Sequence, residues 1–230
     1  MKTQTITCIA FVLCIICLLA GNAFAAYIWN DDNTAVVFYP GNMTYVDRSD
    51  PKHDFGSELF LKVGDEIGNP IVNTTNYDAV NATRTYLRFN QQELESQLAN
   101  YTITGATLNM YLASVENLPG PSTFDSISVL QVTSADSYGY MHNLTWDRQA
   151  ERNVTFEGGT VFASLNFNAT GETSGLRTWE NASSGNGSIS GMVQIWLNDS
   201  NTNYGVVVGN DFDGNWTELV NGTVYSIQRP

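Results

Sequence analysis

Apolar and polar residues alternate along most of this chain in short runs separated by turn-forming residues. Residues 84–89 (Arg-Thr-Tyr-Leu-Arg-Phe) are the clearest case. In an extended strand Thr85, Leu87 and Phe89 share one face, and Arg84, Tyr86 and Arg88 share the other. Further β-branched or aromatic runs lie at 34–39, 57–63, 104–113, 126–132, 160–167, 204–209 and 223–227, with Gly, Pro, Asn and Asp between them. Two segments depart from this period. Residues 92–98 read as one or two helical turns. In 190–197, Met192, Val193, Trp196 and Leu197 form a helical stripe, with Ser190 as its expected cap. Eight short strands and one or two short helices predict an all-β chain folded as a single sandwich of jelly-roll type.

The first 25 residues follow a different pattern. Met1 and Lys2 precede an apolar run over residues 6–20, and Ala23-Phe24-Ala25 follows as a small-x-small cleavage motif. This predicts a secretory signal peptide at 1–25, cut before Ala26 or Tyr27. The apolar run is shorter than the roughly 20 residues that span a bilayer. No second such run occurs, so no membrane span is expected in the mature chain. Residues 26–33 then read as an N-terminal tail and 34–230 as one domain. Cys8, Cys14 and Cys17 all fall in the leader, so the mature chain is expected to hold no disulfide or thiolate chemistry.

Twelve Asn-x-Ser/Thr sequons begin at Asn42, Asn73, Asn81, Asn100, Asn143, Asn153, Asn168, Asn181, Asn186, Asn198, Asn215 and Asn221. Random order of the same residues gives roughly four, so the excess points to an N-glycan coat and an extracellular or cell-surface location. Each modified Asn must face solvent. A ligand or self-assembly face is therefore expected where sequons are sparse, at 84–89, 105–118 and 119–140. The full chain carries ten basic and 23 acidic residues, a net charge of −13. That balance disfavours nucleic acid and anionic membranes as partners.

Five segments in order resemble the DNRLRE domain family: Phe55-Gly-Ser-Glu-Leu-Phe-Leu-Lys-Val63, Arg84-Thr-Tyr-Leu-Arg-Phe89, Ile103-Thr-Gly-Ala-Thr-Leu-Asn-Met-Tyr-Leu112, Leu144-Thr-Trp146, and Val193-Gln-Ile-Trp-Leu197 with Asn203-Tyr-Gly-Val-Val-Val208. The resemblance spans about residues 34–227. It implies a jelly-roll sandwich from secreted and surface proteins of bacteria and methanogenic archaea, including proteins related to disaggregatase. Some members of that family bind acidic polysaccharides as non-catalytic modules. This chain is expected to differ in standing alone, and it differs in the long segment at 65–82 and in its sequon load.

Trp146 and Trp196 match the family's tryptophan positions and read as buried anchors among apolar neighbours. Trp179 and Trp216 have polar neighbours and read as candidate platforms for a sugar ring, as do Tyr138 and Tyr140 around Gly139. Asp211, Asp213 and Asn215 are spaced two apart beside Gly214, like the start of a calcium loop. Without an EF-hand's twelfth-position Glu, a hairpin turn explains them as well. Residues 29–33 and 47–50 are a further source of oxygen ligands. His53 and His142 are the only histidines, and neither a metalloprotease motif nor a nucleophile elbow is present. The chain therefore reads as a non-catalytic surface glycoprotein that binds envelope or matrix polysaccharide, with Ca²⁺ as the one cofactor suggested. The alternative is a self-assembling homo-oligomeric subunit of a sheath, S-layer or filament, using the tail as a donated strand.

Overall fold

The computed structural model describes residues 24–32, 34–66, 81–117, 124–156, 163–168, 174–180, 188–209 and 223–228. Among these residues, twelve strands run β1 (Phe24–Asn30), β2 (Ala35–Phe38), β3 (Pro40–Asp47), β4 (Phe60–Glu66), β5 (Asn81–Phe89), β6 (Ile103–Asn117), β7 (Phe124–Ser134), β8 (Thr155–Phe156), β9 (Ala163–Asn168), β10 (Gly175–Trp179), β11 (Val206–Gly209) and β12 (Thr223–Gln228). The helices are α1 (Gln91–Leu98), α2 (Arg148–Glu151) and α3 (Ile189–Asn198). All strand pairings are antiparallel. One layer is β2-β1-β6-β10. The other is β3-β5-β11-β7-β9, with β8 beyond the far end of β7, and the β12–β4 pair bridges the two.

The main core lies between these layers. Ile28, Leu108 and Met110 come from the first, and Leu87, Phe89, Ile127, Val129, Val206 and Val208 from the second. Leu94 and Leu98 of α1 and Met192, Val193 and Trp196 of α3 join the same core. The Asn90 side chain starts α1 by accepting from the Gln92 and Glu93 amides. Ser188, not Ser190, caps α3: its hydroxyl accepts from the Gly191 amide at 2.9 Å. Ser190 lies inside the first turn.

A second core covers the other face of β3, β5, β7 and β11. Val46, Tyr86, Leu130, Val132 and Val207 meet Tyr140, Met141 and Leu144 from the segment that follows β7. This corrects the expectation of a free surface at 84–89. The alternation in β5 is as the sequence predicts, but both faces are covered. The Arg84 guanidinium lies 4.7 Å from the Trp146 ring centre and 5.2 Å from that of Phe156. Every residue of β11 is buried, as a strand enclosed on both sides requires.

Most of the expected N-terminal tail at 26–33 forms a strand. Residues 26–30 belong to β1, which lies between β2 and β6 with Ala26 against Phe38 and Leu108. That strand is paired within its own chain, so the motive for donating it to a neighbour is lost. The Asn30 side chain closes the turn into β2. Its carbonyl oxygen accepts from the Asp32 and Thr34 amides and the Thr34 hydroxyl.

Candidate functional site

The four aromatic residues expected to meet sugar do not share one fate. Trp179 is only 1% exposed. Its indole N–H donates to the Ile127 carbonyl at 2.9 Å, so it is a core residue and not a platform. The polar neighbours that suggested exposure are a consequence of strand alternation. Thr178 pairs with Asn109 on the outward side of β10, while Trp179 pairs with buried Leu108 on the inward side. Tyr140 is fully buried in the second core, edge-on to Tyr86, and its hydroxyl donates to the Tyr204 carbonyl at 3.0 Å. Burial first, and Tyr86 second, hold its phenol well above the usual tyrosine range. Trp216 and the Asp211, Asp213 and Asn215 segment lie outside the described residues. Trp196 is buried as expected, and Trp146 is half-buried.

Of the three that are described, Tyr138 alone keeps a surface. Its ring stacks on Tyr204 at 5.2 Å, the Arg88 guanidinium lies 4.5 Å from its centre, and its hydroxyl reaches Asn201 Oδ1 at 3.3 Å. Burial and then Tyr204 raise its phenol above its ordinary value, with Arg88 opposing. Arg88 is fixed in turn, donating from Nε to the Asn203 carbonyl and from its terminal nitrogen to that of Tyr138. Burial lowers the Arg88 pKa from the usual arginine value, against the opposing effect of Tyr140, Tyr138 and Tyr204.

Tyr138 stands at a cleft of about 370 Å³ between the 138–143 loop, the start of β3 and the turn at Asp54, Gly56 and Ser57. Asp54 and His142 bring polar groups to it. Asn42 and Asn143 also line it, and both are sequon asparagines. A glycan carried on either would therefore be attached at the cleft.

A different surface collects aromatic side chains without a sequon among its described residues. On the outer face of the β2-β1-β6-β10 layer, the register aligns Val37 with Tyr27 and Thr107, and Ala35 with Trp29 and Gly105. Across β6 and β10 it aligns Asn109, itself only 6% exposed, with Thr178, and Tyr111 with Leu176. Tyr27 and Trp29 have ring centres 6.3 Å apart and planes 27° apart. The Trp29 ring passes close over Gly105, where an added Cβ would sit 3.7 Å from Cε3. Tyr111 is 37% and Leu176 54% exposed, and Tyr27 and Trp29 are half-buried. Six residue steps along β6 separate Gly105 from Tyr111, about 20 Å. None of the residues named on this face is charged. Sequence reading missed Tyr27 and Trp29 because they fell in the supposed tail. Their i, i+2 spacing was the available signal.

The five sequon asparagines whose side chains are described, Asn42, Asn100, Asn143, Asn153 and Asn198, are all exposed. Asn143 and Asn153 adopt left-handed backbone at φ 56° and 50°, as tight surface turns allow for Asn. Asn81 opens β5 and Asn168 closes β9, while Asn73, Asn181, Asn186, Asn215 and Asn221 lie outside the described residues.

No group of three or more His, Cys, Asp or Glu side chains gathers among the described residues. The turn oxygens near the N-terminus have local work. Asp31 accepts from the Thr102 amide, and Asp47 from the amide and hydroxyl of Ser49. No described helix is long and apolar enough to cross a membrane. Compared with known proteins, the chain matches no protein-family model, no curated protein and no solved structure.

Proposed function

We propose that this is a secreted, N-glycosylated, non-catalytic cell-surface domain. It holds envelope or matrix polysaccharide against the outer face of its β2-β1-β6-β10 layer. The observation that carries the reading is the row of Trp29, Tyr27 and Tyr111 on a sheet face without a described sequon. Aromatic rings present large apolar area at little conformational cost, which suits the apolar face of a sugar ring. We read the sandwich as a jelly roll, as the DNRLRE resemblance implies. The family's preference for acidic polysaccharide is set aside. An uncharged face on a chain of net charge −13 favours neutral sugar chains. Calcium, if it binds at Asp211, Asp213 and Asn215, has a structural role in this reading.

Affinity electrophoresis of the enzymatically deglycosylated protein through gels containing neutral or acidic polysaccharides tests the reading, with and without Ca²⁺. Retardation is expected in a neutral polysaccharide. Unchanged mobility in every gel would overturn the binding role.

A further inference from the structure

The position of β1 bears on where the leader is removed. The small-x-small motif Ala23-Phe24-Ala25 directs cleavage to the Ala25–Ala26 bond. The fold accommodates that product badly. Ala25 is 0% and Ala26 5% exposed. Ala26 belongs to the main core and lies between Phe38 of β2 and Leu108 of β6. Cleavage there would put a new α-amino group, charged at neutral pH, at a buried position inside a sheet. It would also remove the strand partners of Asn109 and Met110, both buried, along one edge of β6. Cleavage before Tyr27 would also remove the Ala26–Leu108 and Ala26–Phe38 pairs.

A second small-x-small motif, Gly21-Asn22-Ala23, lies two residues upstream and directly follows the apolar run. Hydrolysis after it leaves Phe24 as the first residue, and Phe24 is where β1 begins. All seven β1–β6 pairs, from Phe24–Met110 to Asn30–Ile103, are then kept. The peptidase meets the chain unfolded, so the fold does not direct the cut. It determines which product folds with its sheet complete.

We infer that the leader is removed at the Ala23–Phe24 bond. A secretory-pathway endopeptidase adds water across this amide, releasing a leader that ends in the Ala23 carboxylate and a mature chain that begins with the Phe24 amine. The inference rests on the secretory reading above, and its outcomes separate the two. N-terminal sequencing and intact mass of the deglycosylated native protein should give a chain starting at Phe24. A start at Ala25 or later overturns the inference. A start upstream of Phe24 but after Met1 overturns this bond and leaves secretion standing. An intact Met1 overturns secretion as well. In a second measurement, chains released from a fusion partner to begin at Phe24 or at Ala26 are melted side by side. The Ala26 chain should melt several degrees lower. Equal midpoints would remove the physical basis for choosing the upstream bond.

Discussion

Gly205 leads into β11 with φ +97°, and a Cβ placed there would lie 2.2 Å from the Leu87 carbonyl oxygen. The neighbouring strand backbone cannot give way as a flexible side chain would. Gly205→Ala is therefore expected to destabilise by at least about 3 kcal/mol, read as a shift in the chemical-denaturation midpoint. Tyr140 offers a test of opposite character. Its phenol ionises above the ordinary tyrosine value when folded, whereas an unfolded tyrosine ionises near pH 10. The unfolded chain thus loses this proton first. Stability from burying the neutral phenol is complete below about pH 10 and falls as the pH rises further. Tyr140→Phe removes the bond to the Tyr204 carbonyl at a cost of about 1 kcal/mol near neutrality. Denaturation of both proteins from pH 8 to 11 should show that gap shrinking at the alkaline end. A constant gap would mean that Tyr140 ionises as freely folded as unfolded. Residue chemistry was legible where it was local and misleading where it depended on facing. Trp179 between Thr178 and Glu180 reads as exposed until the inward register of β10 is known.

At the level of elements, the alternation in β5 and the stripe of α3 were visible because each repeats several times. The N-terminal strand was hidden because Ala26-Tyr-Ile-Trp-Asn30 directly follows the cleavage motif Ala23-Phe24-Ala25, and β3 was hidden by its Pro-Gly start. The start of α3 was misplaced by two residues, since Ser188 and Ser190 are equally good caps on paper and packing chose between them. Ser188→Ala is expected to lower stability by about 1 kcal/mol, and Ser190→Ala by much less. Thermal melts of the two variants compare them directly. Equal losses would mean that the Ser188 cap seen here does not fix the helix start.

At the scale of the whole molecule, the second core could not be read from the chain. Nothing in residues 135–156 announces that they cover the outer face of β5, β7 and β11. The exposure of the sequons was more legible: all five sequon asparagines with described side chains reach solvent. Glycopeptide mapping of the native protein should find Asn42, Asn100, Asn143, Asn153 and Asn198 modified. Unmodified Asn42 and Asn143 would reopen the Tyr138 cleft as a ligand site. The proposed ligand face came from the fold, because the pairing of β1 with β6 brings Trp29 and Tyr27 beside the strand that carries Tyr111. The most direct measurement is affinity electrophoresis of deglycosylated wild type, Trp29→Ala, Tyr111→Ala and Tyr138→Ala in one neutral polysaccharide, with melts to show that each variant is folded. The account predicts that Trp29→Ala and Tyr111→Ala each weaken retardation about tenfold, roughly 1.4 kcal/mol per ring, and that Tyr138→Ala leaves it unchanged. Retardation lost with Tyr138→Ala and kept by the other two would contradict it.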